Sequence, residues 1–212
     1  MTPAAVIFDV DGTLVDSEPL SYRTWERELA RHGYALTTED ITQTRGFGFP
    51  EVHAYFAERI HDFPDIDAFW PRFSGSLFAL IDTEMPLFED AIGAARELRA
   101  RGMPIAVASS SPRARVDRTL AAAGLAGLFD VVVAGDEVER GKPAPDLFLA
   151  AAEKLGVPPE RCVAVEDSPV GVESALAAGM TVVAVARSPG HRESLQPHLV
   201  HELTAAVVEA AA

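Results

Sequence analysis

Two short acidic pairs carry most of the chemistry in this sequence. Asp9-Val10-Asp11 lies near the start and Glu166-Asp167 far downstream, each directly after a run of strand-forming residues. Between them lie Ser109, behind a third such run, and Lys142, in a Gly-Lys-Pro turn. Carboxylates at the carboxyl ends of parallel strands meet at one edge of a sheet. Two unit charges about 4 Å apart repel by roughly 4 kcal/mol at an effective dielectric near 20. Acids gathered so closely need a compensating cation, and the pattern points to a hard divalent metal with a hydroxyl and an ammonium beside it.

Asp9 and Asp11 would share a face if the strand continued. Gly12-Thr13 is a turn signal that ends it, so the two carboxylates approach a reacting group from different sides. That is the division of labour needed by a nucleophile and an acid/base. Each residue taken alone has a plainer reading. Asp9 and Asp11 could be a capping and a turn aspartate, Ser109 a strand-end hydroxyl, Lys142 a solvated turn residue, and Glu166-Asp167 the cap of a helix near Pro169. Only the combination overturns these readings.

The elements that must hold the cluster alternate strand and helix. Residues 4–10, 104–108, 131–134, 163–165 and 181–185 are nearly continuously apolar and rich in Val and Ile, as strands covered on both faces are. Helical patterns fill 88–101, 112–123, 145–155 and 170–178, and the Ala-rich tail closes a final helix. Ser111 before Pro112 reads as an N-cap followed by proline at the first helical position. Gly102, Gly124, Gly156 and Gly179 stand just past helix ends. Helix, glycine, strand in succession predicts an α/β, doubly wound parallel sheet.

The stretch between Glu18 and Met85 breaks this rhythm. It holds most of the aromatic residues and helical patterns over 20–32, 38–44, 50–61 and 66–81, with no convincing strand. The expected division is therefore a core of 1–17 and 86–212 with an all-helical insertion, 18–85, over the carboxyl end of the first strand.

At 212 residues the chain suits one sizeable core plus a small insertion. Its 48% hydrophobic content is that of an ordinary soluble domain, and no apolar stretch approaches the length of a membrane span. No basic region precedes an apolar segment at the start, so no signal peptide is expected. The single cysteine, Cys162, fits a reducing, cytoplasmic setting and reads as a small buried hydrophobe. A formal charge of -14 disfavours nucleic acid or an anionic membrane as partner, and an anionic substrate would need local positive charge. The six histidines are scattered, and surface positions are expected for all of them.

The string from Asp9 to Glu18, Asp-Val-Asp-Gly-Thr-Leu-Val-Asp-Ser-Glu, resembles the first motif of the haloacid dehalogenase-like (HAD) hydrolases. Val-Ala-Ser109-Ser-Ser, Gly141-Lys-Pro-Ala-Pro-Asp146 and Val165-Glu-Asp-Ser-Pro-Val-Gly171 follow in that family's order. The insertion falls where the family places its type 1 helical cap, in the beta-phosphoglucomutase-like and sugar-phosphatase branch. The resemblance implies a Rossmann-like HAD core. It further implies that Asp9 is a nucleophile that becomes a transient aspartyl phosphate, and Asp11 the acid and then the base. Ser109, Ser110 and Lys142 would bind the phosphoryl group. Mg2+ would be held by Asp9, the Asp11 main-chain carbonyl, Glu166 and Asp167.

Relatives that displace halide lack an acid at the position of Asp11, so a phosphate ester is favoured over a haloacid. The expected partner is a small phosphorylated metabolite, and the expected state a monomer. Glu18, Arg45, Gly46 and Phe49 are the insertion's candidate substrate residues. Mutases of the branch resemble a pattern with a histidine and an arginine where this chain has Ser21 and Phe49. That favours a phosphatase over a hexose phosphate mutase, although Arg45 could grip a second phosphate. A catalytically idle phospholigand-binding relative is the alternative of another class. Arg113 belongs either to the phosphate site or to a solvated helix face, and Phe47 and Phe49 either to substrate or to the insertion's own core.

Overall fold

The computed structural model describes residues 2–44, 48–187, 192–200 and 203–211. The chain forms two compact units, Met1–Asp16 with Met85–Ala212, and Ser17–Glu84.

The first unit is built on a parallel sheet. Its strands are β1 (Ala5–Phe8), β2 (Ile105–Ala108), β3 (Val131–Val133), β4 (Cys162–Glu166), β5 (Thr181–Val185) and the two-residue β6 (Leu199–Val200). Their order is β3-β2-β1-β4-β5-β6. Helices α5 (Glu89–Ala100), α6 (Arg113–Ala122), α7 (Asp146–Leu155), α8 (Pro169–Ala177) and α9 (Ala205–Ala210) cover the sheet. This is the α/β architecture expected, with β6 added: two residues are too few to leave a periodic signature.

The strands' period-two alternation sorts side chains by size as well as by face. Val6, Phe8, Ile105, Val107, Val163, Val165, Val183 and Val185 pack against α5, α6 and α9. Ala5, Ala106, Ala108, Cys162, Ala164 and Ala184, with the larger Ile7, Val133 and Val182, occupy the other face, where the mostly small residues leave room for Leu147 and Phe148 of α7. Cys162 is buried at the first position of β4, and burial pushes its thiol up to about 11.

From β1 the chain builds outward through β2 and β3, then crosses back to lay β4 on β1's other side. The reversal makes the crevice between the carboxyl ends of β1 and β4 the topological switch point, where sheets of this kind bind ligands. Register sets what stands there. Phe8 is level with Val165, so Asp9 arrives beside Glu166.

The second unit contains α1 (Glu18–Ala30), α2 (Thr38–Thr44), α3 (Phe49–Ala57) and α4 (Ile66–Glu84). Its core is aromatic. Trp25 lies 4.6–5.6 Å, centroid to centroid, from Phe49, Phe56, Phe69 and Phe73. His53 belongs to this core rather than to the surface expected for it. It is buried, its Nε2 lies 3.0 Å from the Pro64 carbonyl, and its ring packs on Phe63 and Phe69. No helix among the described residues is long and apolar enough to cross a membrane.

Candidate active site

The site is assembled by loops at the carboxyl ends of β1, β2 and β4 and by the turn before α7. Asp9 is buried just past β1, and its N–H donates to the Val165 carbonyl, 2.9 Å. The chain then turns through Gly12, whose φ of +91° is left-handed, and whose absent Cβ leaves space for the Asp167 carboxylate. Thr13, fully buried, donates to Asp167 Oδ1 at 3.4 Å.

Lys142 links the acids. Its Nζ donates to Asp9 Oδ1 at 2.6 Å and to Glu166 Oε1 at 2.5 Å, and its side chain is only 6% exposed. The turn that delivers it is closed by Ala144 N–H on the Gly141 carbonyl, and the Ala144 carbonyl accepts from Ser174 Oγ of α8 at 2.6 Å. Ser174 is therefore a supporting residue that sequence reading missed; a lone serine in a helix gives no local signal of it.

Glu166 has a second task. Its Oε2 accepts from Asp167 N, Ser168 N and Ser168 Oγ at 2.9–3.0 Å. Ser168 in turn caps α8 by accepting from Gly171 N–H. The acidic pair thus does not itself cap this helix: Ser168 caps it and Glu166 orders the cap.

Ser109 is buried at the tip of β2, and its Oγ accepts from Ser111 N–H at 3.1 Å. That leaves the hydroxyl proton to donate. Ser110 is exposed, and its carbonyl lies against Gly135, where a Cβ would come within 2.2 Å of it. Ser111 does not cap α6. Pro112 occupies the N-cap position, Asp136 accepts from Arg113 N–H, and Ser111 Oγ donates to Asp11 Oδ2 at 2.8 Å. The other Asp11 oxygen accepts from Arg115 at 3.0 Å. Of the two readings for Arg113 the structure takes the solvated one: it is exposed and pairs with Asp117 and Glu137.

Burial pushes the Asp9 carboxyl well above the usual carboxylate range. Lys142 pulls it back, while Glu166 and Asp167 push it further up. Burial alone would lower Lys142, but Asp9 and Glu166 together more than reverse this and hold it charged. The two directions are compatible because the ammonium has a second carboxylate. Asp167 is pushed up to about 7, first by burial and then by Glu166, against the pull of Lys142 and with a further push from Asp11. Asp9, Glu166 and Asp167 each offer an oxygen, all within 4.8 Å of one another. An all-oxygen set in which neighbouring anions raise each other's proton affinity fits a hard divalent cation such as Mg2+.

The remaining sequence candidates lie in the helical unit. Glu18 opens α1, is exposed, and accepts from Tyr22 Oη at 2.8 Å. Phe49 is half-buried, stacked on Trp25 and edge-on to Trp70. Arg45 and Gly46, with Phe47, lie outside the described residues.

Residues 3–179 match the family model described as haloacid dehalogenase-like hydrolase. The chain belongs to this family. Among its relatives, the fructose-1-phosphate phosphatase YqaB of Escherichia coli (strain K12) is 33% identical over 86% of this chain and 96% of that protein. Hexitol phosphatase A of the same organism is 36% identical over 84% of this chain and 81% of its own length. The crystal structure of a HAD family hydrolase from Deinococcus radiodurans R1, with bound phosphate and sodium, superposes with a TM-score of 0.75. It has 36% identity and covers 99% of this chain and 95% of that one. The HAD-like core of this chain thus places its four motifs at one sheet edge.

Proposed function

We propose that this chain is a Mg2+-dependent phosphatase that hydrolyses small phosphomonoesters, sugar or polyol phosphates, through an aspartyl phosphate on Asp9. It is a phosphoric monoester hydrolase of the haloacid dehalogenase-like type. The observation that carries the reading is the contact of Lys142 with both Asp9 and Glu166 at the switch point, with Asp11 on the loop after β1 and Ser109 on the loop after β2.

An Asp9 oxygen attacks phosphorus, the bond to the ester oxygen breaks, and Asp11 protonates the departing alkoxide. Asp11 then takes a proton from water, whose oxygen attacks the same phosphorus. The Asp9–phosphorus bond breaks, and inorganic phosphate leaves. Ser109 donates its free proton to a phosphoryl oxygen, and Lys142 screens the approach of two anions. Ser110, at the exposed tip of the same loop, offers a further donor. Asp9, Asp167, Glu166 and the Asp11 carbonyl would hold Mg2+, which supplies charge neutralisation to the phosphoryl group. Positioning and charge stabilisation account for most phosphoryl-transfer catalysis, so a site of this construction needs little else. The helical unit Ser17–Glu84 serves as the family's cap and sets which ester is taken.

The test is release of inorganic phosphate from a panel of hexose and hexitol phosphates. We expect turnover that requires Mg2+, stops on chelation, and is lost by more than about a thousandfold in Asp9→Asn. Turnover surviving in Asp9→Asn overturns the aspartyl route. Interconversion of hexose phosphates outpacing phosphate release, with a bisphosphate activator present, would make the chain a mutase instead.

A further inference from the structure

We infer that Arg115 is a positioning residue for the proton-transfer step, fixing Asp11 jointly with Ser111. This rests on the acid/base role proposed above for Asp11. Both Asp11 oxygens are engaged by one short segment, Oδ2 by Ser111 Oγ at 2.8 Å and Oδ1 by an Arg115 terminal nitrogen at 3.0 Å. A carboxylate gripped at both oxygens loses the rotation about its own axis that a loop aspartate otherwise keeps.

The grip is itself held. Ser111 N–H donates to Ser109 Oγ, and the Ser111 carbonyl accepts from Gly135 N–H at 2.9 Å. Arg115 N–H donates to the Pro112 carbonyl at 2.9 Å, in the first turn of α6, and the next residue, Val116, is buried in the core. The orientation of Asp11 is thereby tied to the same loop that carries Ser109, so acid and phosphoryl donor move as one piece. Arg115 is 19% exposed on its side chain and Asp11 28%, so the pair stands at the rim, open to an arriving ester. Guanidinium suits the task chemically: it donates in a fixed plane and stays charged, so it cannot take the proton that Asp11 must deliver.

A pair that merely braced the fold would, when broken, slow every substrate alike. A pair that aims a proton donor matters in proportion to the leaving group's need of a proton. The experiment therefore compares kcat/KM for a hexitol phosphate, whose alkoxide must be protonated, with that for para-nitrophenyl phosphate, whose phenolate need not be. In Arg115→Met we expect a fall of about 30-fold or more on the alkyl ester, at least tenfold larger than the fall on the aryl ester. The loss should lie in kcat rather than KM, and Arg115→Lys should restore part of it. Equal losses on both esters, or no loss on the alkyl ester, overturn the inference. Should Arg115→Met fail to melt cooperatively, Ser111→Ala and Arg115→Lys take its place in the same comparison: a larger loss on the alkyl ester supports the inference, and equal losses overturn it. Asp9→Asn assayed in parallel separates the two levels: activity surviving there overturns the aspartyl route beneath, whatever Arg115 does.

Discussion

Gly171 is the residue at which the site's construction can be tested against a competing rule. It lies in the first turn of α8, where glycine is intrinsically less stable than alanine by roughly 0.5–1 kcal/mol. Propensity alone therefore expects Gly171→Ala to stabilise. A Cβ there would lie 1.8 Å from Glu166 Oε1 and 2.0 Å from Cδ, and Glu166 is a buried acceptor of four donors. Displacing it strips Lys142 of one partner and leaves the β4–α8 loop without its organiser. The expected outcome of Gly171→Ala is a lower melting temperature and a fall in kcat/KM of about 10–100-fold. Gly93, on the exposed side of α5 with nothing within 4 Å of its Cβ position, is the control. Gly93→Ala should raise the melting temperature and leave turnover unchanged. If both substitutions stabilise, Glu166 is not the fixed organiser described. At this scale the sequence was legible where one residue's chemistry suffices and silent where two distant residues compete for one group. Ser111-Pro112 has the local form of a helix cap, yet its hydroxyl serves Asp11, a hundred positions away. Arg113 and Arg115 are the same residue type two positions apart. They stand about 200° apart around a helix of 3.6 residues per turn, and the helix's rotation, absent from local pattern, turned only Arg115 toward the site.

Helices and strands were read more readily than their contacts. Every strand but β6 was marked by an apolar run, and α2 by a helical pattern over 38–44; its opening is Thr37-Thr38-Glu39-Asp40. That opening is a reciprocal cap: Asp40 N–H donates to Thr37 Oγ1 at 3.1 Å, and Thr37 N–H to Asp40 Oδ2 at 2.9 Å. The second Asp40 oxygen accepts from Tyr34 and Tyr55 at 3.0 and 2.9 Å, tying α2 to α3 and to the turn after α1. The helical pattern over 38–44 was legible in the sequence; the cap and the tyrosines, which come from other elements, were not. Burial would raise the Asp40 carboxyl, but its bonds to Thr37 and then to the tyrosines outweigh this and hold it below the usual value. The sign follows. With the folded value depressed, Asp40 stabilises the helical unit above the ordinary carboxylate range near pH 4, and this contribution drains away as pH falls through the lowered folded value. Asp40→Ala should cost about 2–4 kcal/mol at pH 7. The gap between mutant and wild type in thermal unfolding should narrow below about pH 4. A gap that stayed constant down to pH 2 would assign the loss to packing rather than to the ionised acceptor.

At the scale of the whole molecule, the charge of -14 stands against a function that must attract anions. Most cations near the core are already paired with acids: Arg99 with Asp130, Arg101 with Glu97 and Glu209, Arg140 with Asp146, Lys154 with Glu137, Arg187 with Asp90. In the site, Lys142 and Arg115 face Asp9, Asp11, Glu166 and Asp167, and the formal deficit of two charges is the charge of one divalent cation. A Mg2+-loaded site would therefore be near neutral inside a negative envelope, so attraction is short-range and repulsion long-range. The two respond differently to salt. Raising ionic strength from about 0.01 to 0.15 M shortens the screening length from roughly 30 to 8 Å, which removes the envelope's repulsion and spares contacts within the site. With Mg2+ kept saturating, KM for a dianionic hexitol phosphate should fall by about threefold across that range. An aminoalkyl phosphate, whose ammonium offsets part of its charge, should respond less. A KM that rises with salt would mean that positive charge near the site governs capture, and that the molecule's acidity is borne on surfaces the substrate never senses.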